Sequence, residues 1–174
     1  MRGVFLLLTA IITIPVLAEN DPAVIAVMET WEAARSGSPE CFLETLDEAS
    51  SQGILDFCGG FLEILRARSG TELMLLFAAM RLEAAPGEVV NWDDRSVLEV
   101  FLSAPDHAYF FENSILAIDS TKPGENGATV WFSIHDPYGH TNSFQIRAVE
   151  TPIGWRTAGL DSLVSEAVEE HLGT

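Results

Sequence analysis

The tetrapeptide Asp136-Pro137-Tyr138-Gly139, set between two runs of alternating polar and apolar residues, constrains this chain more than any other feature. Proline second and glycine fourth is the chemistry of a type I turn closed by a glycine bulge, which makes a three-residue hairpin loop. With Pro137, Tyr138 and Gly139 as the loop, Asp136 faces His140, and the ladder runs Phe132 with Phe144, Val130 with Ile146 and Ala128 with Ala148. Those apolar pairs share one face, while Thr129 with Arg147, Trp131 with Gln145 and Ser133 with Ser143 share the other. A slip of one residue mixes the faces, which a half-buried sheet does not tolerate. Turn residues recur at Lys122-Pro-Gly-Glu-Asn-Gly127 and Thr151-Pro-Ile-Gly154, so the sequence predicts a meander of four antiparallel strands near 114–120, 127–136, 140–151 and 154–160. By the same turn rule Thr151 faces Trp155. This sets Ile146 against Leu160, Ala148 against Ala158 and Glu150 against Arg156, with even-numbered side chains inward throughout.

Helical period governs the chain before the sheet. Asp21 is an N-cap with Pro22 at the first helical position, and Val24, Val27, Met28, Trp31 and Ala34 recur at helical spacing up to Gly37. Ser38-Pro39 opens a short helix with Phe42, Leu43 and Leu46 on its apolar face. Ser51 is the expected cap of a third, carrying Ile54, Cys58, Phe61, Leu62 and Leu65. Thr71 is the expected cap of a fourth, from Glu72 to about Ala84, so apolar around its circumference that it should be largely covered. Asp93-Asp94 before Val97, Leu98, Phe101 and Leu102 predicts another short helix, and Leu163 to Leu172 a closing amphipathic one. Helices first and then a meander with one apolar face make an α+β layer arrangement.

The N-terminus has the form of a secretory signal: Arg2, an apolar run from Val4 to Val16, and Val16-Leu17-Ala18 before Glu19-Asn20-Asp21. A membrane span needs about 20 apolar residues, and this run is shorter and contains Pro15. Cleavage after Ala18 and export to a periplasm or the exterior are expected, with residues 19–174 forming one domain. The net charge of −17 becomes one unit more negative when Arg2 leaves. Such a surface repels nucleic acid and anionic membranes, so neither is an expected partner. In an oxidising compartment Cys41 and Cys58 are open to one disulfide, and equally to two buried thiols on apolar helix faces.

Three segments carry a family resemblance: the Trp31 helix, the strand–Asp136-Pro-Tyr-Gly139–strand hairpin, and the closing Gly154-Trp155-Arg156-Thr157-Ala158-Gly159-Leu160. Together they resemble the NTF2-like superfamily, an α+β cone, in its exported members; the apolar Leu73 to Met80 segment adds helical mass. The resemblance implies a cone-shaped pocket between sheet and helices. Some members use such a pocket for isomerase, dehydratase or cyclase chemistry and others only to bind ligands or partners, and fold alone does not choose between them.

The residues offer few groups for catalysis. His135 and His140 point to opposite faces in the predicted register, so they do not converge on a metal. Asp136 beside His140 is a carboxylate–imidazole pair at a hairpin tip. Asp119 is the candidate pocket carboxylate, and Tyr109, with His107, precedes its strand in an aromatic cluster. Glu150 and Arg156 are expected as an inward ion pair, Trp131 and Trp155 as neighbouring indoles on the outward face. P-loop, GxGxxG, GxSxG, HExxH and CxxC motifs are missing, and Lys122 is the single lysine. These readings favour a non-catalytic domain for a small apolar ligand or a protein partner, with no cofactor. The alternatives are an enzyme using Asp119, Tyr109 and His140 on a small apolar substrate, and an envelope interaction module dimerising through the Trp131/Trp155 face.

Overall fold

The computed structural model describes residues 20–162; the expected signal segment 1–18 and the expected helix from Leu163 to Leu172 lie outside the described residues. Among the described residues six α-helices precede the sheet: α1 Pro22–Ser36, α2 Pro39–Glu44, α3 Glu48–Arg66, α4 Gly70–Ala79, α5 Asp94–Ser103 and α6 Pro105–Asn113, with a 3-10 helix at Pro86–Asn91 between α4 and α5. Strands β1 Ile115–Gly124, β2 Gly127–His135, β3 Thr141–Thr151 and β4 Gly154–Ala158 form an open, curved antiparallel sheet in the order β1-β2-β3-β4. The architecture is α+β, as the sequence implies.

Capping chemistry sets most helix starts. Asp21 accepts from the Ala23 amide at 2.9 Å, and its other oxygen accepts from the Thr121 hydroxyl at 3.0 Å, tying the start of α1 to β1. Gly37 ends α1 in the left-handed conformation at φ 72°, where a side chain costs most. Two starts differ from expectation. Asp47 rather than Ser51 caps α3, because its carboxylate reaches the Ser50 amide at 3.0 Å, and Ser51 instead donates to the Leu43 carbonyl at 3.0 Å. Ser69 rather than Thr71 caps α4 in a reciprocal box with Glu72, and α4 ends at Ala79. Nor is α4 covered all round: Leu73 and Phe77 are buried, but Met74 and Leu75 are 61% and 68% exposed. Helix α6 has no counterpart in the sequence reading, although Pro105 at its first turn is a start signal.

Two apolar clusters result. One joins α2, α3, α4, α5 and the end of α1 around Leu65, Cys58, Val97 and Phe77. The other lies between the sheet and the start of α1, where Ala23, Ala26 and Val27 meet Val130, Phe132, Ile146 and Ala148. Small residues on α1 let the helix approach the sheet closely.

The β2–β3 register is the one the turn predicts, with Ala128 opposite Ala148, Val130 opposite Ile146 and Phe132 opposite Phe144. The Asp136 carboxylate accepts from the amides of Tyr138 and His140, each at 2.9 Å, and so spans the three-residue loop. At β3–β4 the register is one residue tighter: Thr151 faces Gly154, Glu150 faces Trp155, Val149 faces Arg156 and Ala148 faces Thr157. A threonine has one side-chain oxygen where aspartate has two. Thr151 Oγ1 donates to the Gly154 carbonyl at 2.6 Å and accepts from the Ile153 amide at 3.4 Å, which closes a two-residue loop. Odd-numbered side chains of β4 therefore face inward. This corrects two expectations: Glu150 and Arg156 lie on opposite faces and form no pair, and Trp155 packs inward with α1's cluster while Trp131 lies on the outer face. A tryptophan surface shared by the two indoles does not form.

Candidate functional site

The inner face of the sheet does not fill completely against the helices. A cavity of about 300 Å³ remains, walled by Val27, Trp31 and Ala34 of α1, Phe111 of α6, and Phe132, Ile134, Phe144 and Ile146 of the sheet. At one side of it the Phe111 ring of α6 lies 4.4 Å from that of Trp31 on α1, a tilted aromatic contact that joins the two helices. Phe132 and Phe144 stack at 5.6 Å on the opposite wall. Phe132 is buried, but Phe144 is 39% exposed and marks the cavity's mouth.

The polar side-chain groups of the described lining residues are the indole N–H of Trp31 and two hydroxyls. Thr30 Oγ1 and Thr157 Oγ1 lie 2.7 Å apart, and both reach the Ala26 carbonyl, at 3.0 and 3.2 Å. Two hydroxyl protons serve three contacts, so neither proton is left for a ligand. Among the described residues lining this cavity none is acidic, basic or histidine. The wall can exclude water and hold hydrocarbon; among the described lining residues it offers no acid or base for proton transfer.

The residues singled out in the sequence lie elsewhere. Asp119 occupies a β-bulge, the one position of β1 without a partner, between Ile118 opposite Phe132 and Ser120 opposite Trp131. The extra residue turns its carboxylate onto the outer face, where it accepts from Ser133 Oγ at 2.7 Å; Ser133 and Ser143 hydroxyls are 3.2 Å apart. This corrects the expectation of a pocket carboxylate. Tyr109 is half exposed on α6, its ring 6.4 Å from that of Tyr138, and His140 is exposed at the hairpin tip. The three candidate catalytic side chains do not converge. His140 Nδ1 is 3.0 Å from Asp136 Oδ2. Desolvation pushes the Asp136 carboxyl up, but the His140 and Tyr138 amides and the His140 ring outweigh it and hold the carboxyl below its ordinary value. His135 Nδ1 lies 2.8 Å from Thr141 Oγ1 on the outer face, away from His140.

Cys41 and Cys58 are separate free thiols, Cys41 exposed on α2 and Cys58 buried on the inner face of α3. Burial, with the Asp94 charge adding to it, pushes the Cys58 thiol up to about 11, so it is an inert core group rather than a nucleophile.

His107 stacks on Phe111 at 4.4 Å, behind the cavity wall, and its Nδ1 is buried with no partner among the described residues. Burial holds the imidazole below its ordinary value, against a Leu102 carbonyl contact that favours the proton. In the unfolded chain the ring takes up a proton near pH 6.5, whereas the folded ring resists until the pH is lower. The unfolded state therefore binds more protons as pH falls from about 6.5, and stability declines until the folded ring also titrates. The urea midpoint is expected to drop between pH 7.5 and 5.5, and His107→Phe should flatten that slope. An unchanged slope in the variant contradicts the assignment.

Compared with protein-family models, with curated proteins and with solved structures, the chain matches none.

Proposed function

We propose that this chain is an exported domain of the NTF2-like type that binds a small apolar ligand in the cavity between α1, α6 and the sheet, without catalysis. The observation that carries the reading is the cavity wall: hydrocarbon and aromatic rings, with a hydroxyl pair whose protons are committed to the protein. A void of about 150 Å³ lined by apolar side chains takes up benzene. At about 300 Å³ this one suits two fused rings or a medium-length alkyl chain, and it lies at the small end of natural ligand sites. The helices-then-meander order, with α1 crossing the inner face, agrees with a cone of that superfamily. Arg2, the Val4 to Val16 run and Ala18 support export. The enzyme reading has less support, because Asp119, Tyr109 and His140 sit outside the cavity. The interaction-module reading loses its surface with the inward turn of Trp155.

Titration with N-phenyl-1-naphthylamine, followed by its fluorescence and by displacement with decanol, tests the proposal. Ile134→Trp puts an indole at a half-buried position of the cavity wall. It is expected to weaken binding about tenfold or more, since overfilling a packed site costs roughly 1–3 kcal/mol. Unchanged affinity in a folded Ile134→Trp protein, or no saturable uptake by the wild type, overturns the reading.

A further inference from the structure

The outer face of the sheet differs chemically from the inner one. Lys122, Thr129 and Arg147 are register partners in one row across β1, β2 and β3. Neighbouring strands lie about 4.8 Å apart, so the two cations flank Thr129 from either side, close enough for both to reach one anion above it. The next row along β2 is Trp131, opposite Gln145. These residues line an open groove of about 600 Å³ that ends at Gly159 and Ser162 and includes no acidic side chain among the described residues.

The groove is conspicuous against the charge of the rest of the molecule, which is −17 overall. Arg35, Arg66, Arg68 and Arg81, all on or beside helices, pair with carboxylates. Among the described residues Lys122, Arg147, Arg95 and Arg156 have no such partner; Lys122 and Arg147 are exposed and share one row with Thr129, while Arg156, opposite Val149 on the same face, donates to the Trp155 carbonyl at 2.8 Å. Two cations on either side of Thr129, with no carboxylate between them among the described residues and beside an indole and an amide, suit an anion attached to a ring. The groove's openness selects the ring. An aromatic acid gains by being enclosed on both faces, whereas a sugar ring stacks its C–H face on one indole and keeps its hydroxyls toward water, Gln145 and Thr129.

We propose that this face binds an acidic saccharide of the uronic acid class, its carboxylate between Lys122 and Arg147 and its ring on Trp131. A long polyanion is repelled by the remaining surface, so a short oligomer is the fitting ligand. The site is separate from the apolar cavity and does not depend on it.

Trigalacturonate titrated into the full chain at low salt, followed by amide NMR shifts, tests this, with the neutral galactose trimer and sulfate as parallel titrants. Saturable shifts at Thr129, Trp131 and Gln145 with trigalacturonate are expected, with weak or no shifts from the neutral sugar. Affinity should fall as salt is raised. Lys122→Gln and Arg147→Gln, both at exposed positions that leave the core intact, should each weaken binding about tenfold or more, the loss of one charge-assisted contact. Trp131→Leu should weaken trigalacturonate and leave sulfate unchanged. Equal binding of sulfate and trigalacturonate would mean screening of a cationic patch and overturn the saccharide assignment. No saturable binding of trigalacturonate, or wild-type affinity in the double Gln variant, overturns the site itself.

Discussion

Gly127→Ala is expected to destabilise the domain by about 3 kcal/mol or more, beyond what most single substitutions cost. Gly127 begins β2 at φ 148°, a conformation side chains rarely adopt. An added Cβ there would overlap the Ala148 carbonyl and come within 3.0 Å of the Val149 Cα. Both are backbone atoms in the β2–β3 ladder, so no side chain can swing aside and the strand pairing itself must yield. Gly139, at the other end of the same hairpin, is the control. Its φ is 90°, and a Cβ there meets nothing within 4 Å, so Gly139→Ala carries only conformational strain of about 1–2 kcal/mol. Urea unfolding of the two variants separates the cases. Equal midpoints would mean that β2 and β3 do not pair at the Gly127 end as described.

The second large effect is expected from Ile146→Asp set against Gln145→Asp. These neighbours on β3 face opposite sides of the sheet: Ile146 is 6% exposed and packs under α1, while Gln145 is exposed. An aspartate at 146 must either neutralise or bury a charge among Ala23, Val27 and Val130, with no donor nearby. Together with the lost isoleucine packing, that costs about 4 kcal/mol or more, a large part of the 5–15 kcal/mol a domain of this size has. At 145 the same substitution stays in water and should remain within about 0.5 kcal/mol of wild type. Circular dichroism and thermal unfolding of the pair give the result directly. A folded Ile146→Asp protein would contradict the inward face on which the cavity depends.

The same contrast shows what was legible in advance. The face assignment of Gln145 and Ile146 follows from the Asp136 turn and the strict alternation beside it, two local signals that agree. The β4 register is not readable from the same rule, because Thr151 and Asp136 both precede proline but bring different groups to the turn, one hydroxyl that donates and accepts against two oxygens that only accept. That difference moved Thr157 into the cavity wall and removed both the Glu150–Arg156 pair and the Trp131/Trp155 surface. Asp119 was misplaced for a related reason: a bulge is a mismatch in length between two paired strands, and neither strand alone announces it.

The sequence by itself determined the helices and strands other than α6, the caps of α1, α2 and α5, the α+β order and the pairing of β2 with β3, because each rests on local signals. Only the tertiary structure decided where an empty space remains and which groups line it. A cavity is a packing remainder: it depends on how closely Ala23 and Ala26 let α1 approach, on the Phe111 ring propped against Trp31, and on a threonine pair 127 residues apart in the chain. The distribution of charge followed the same division. The total of −17 is written in the composition, but the placing of Lys122 and Arg147 on either side of Thr129 arises only when three strands pair.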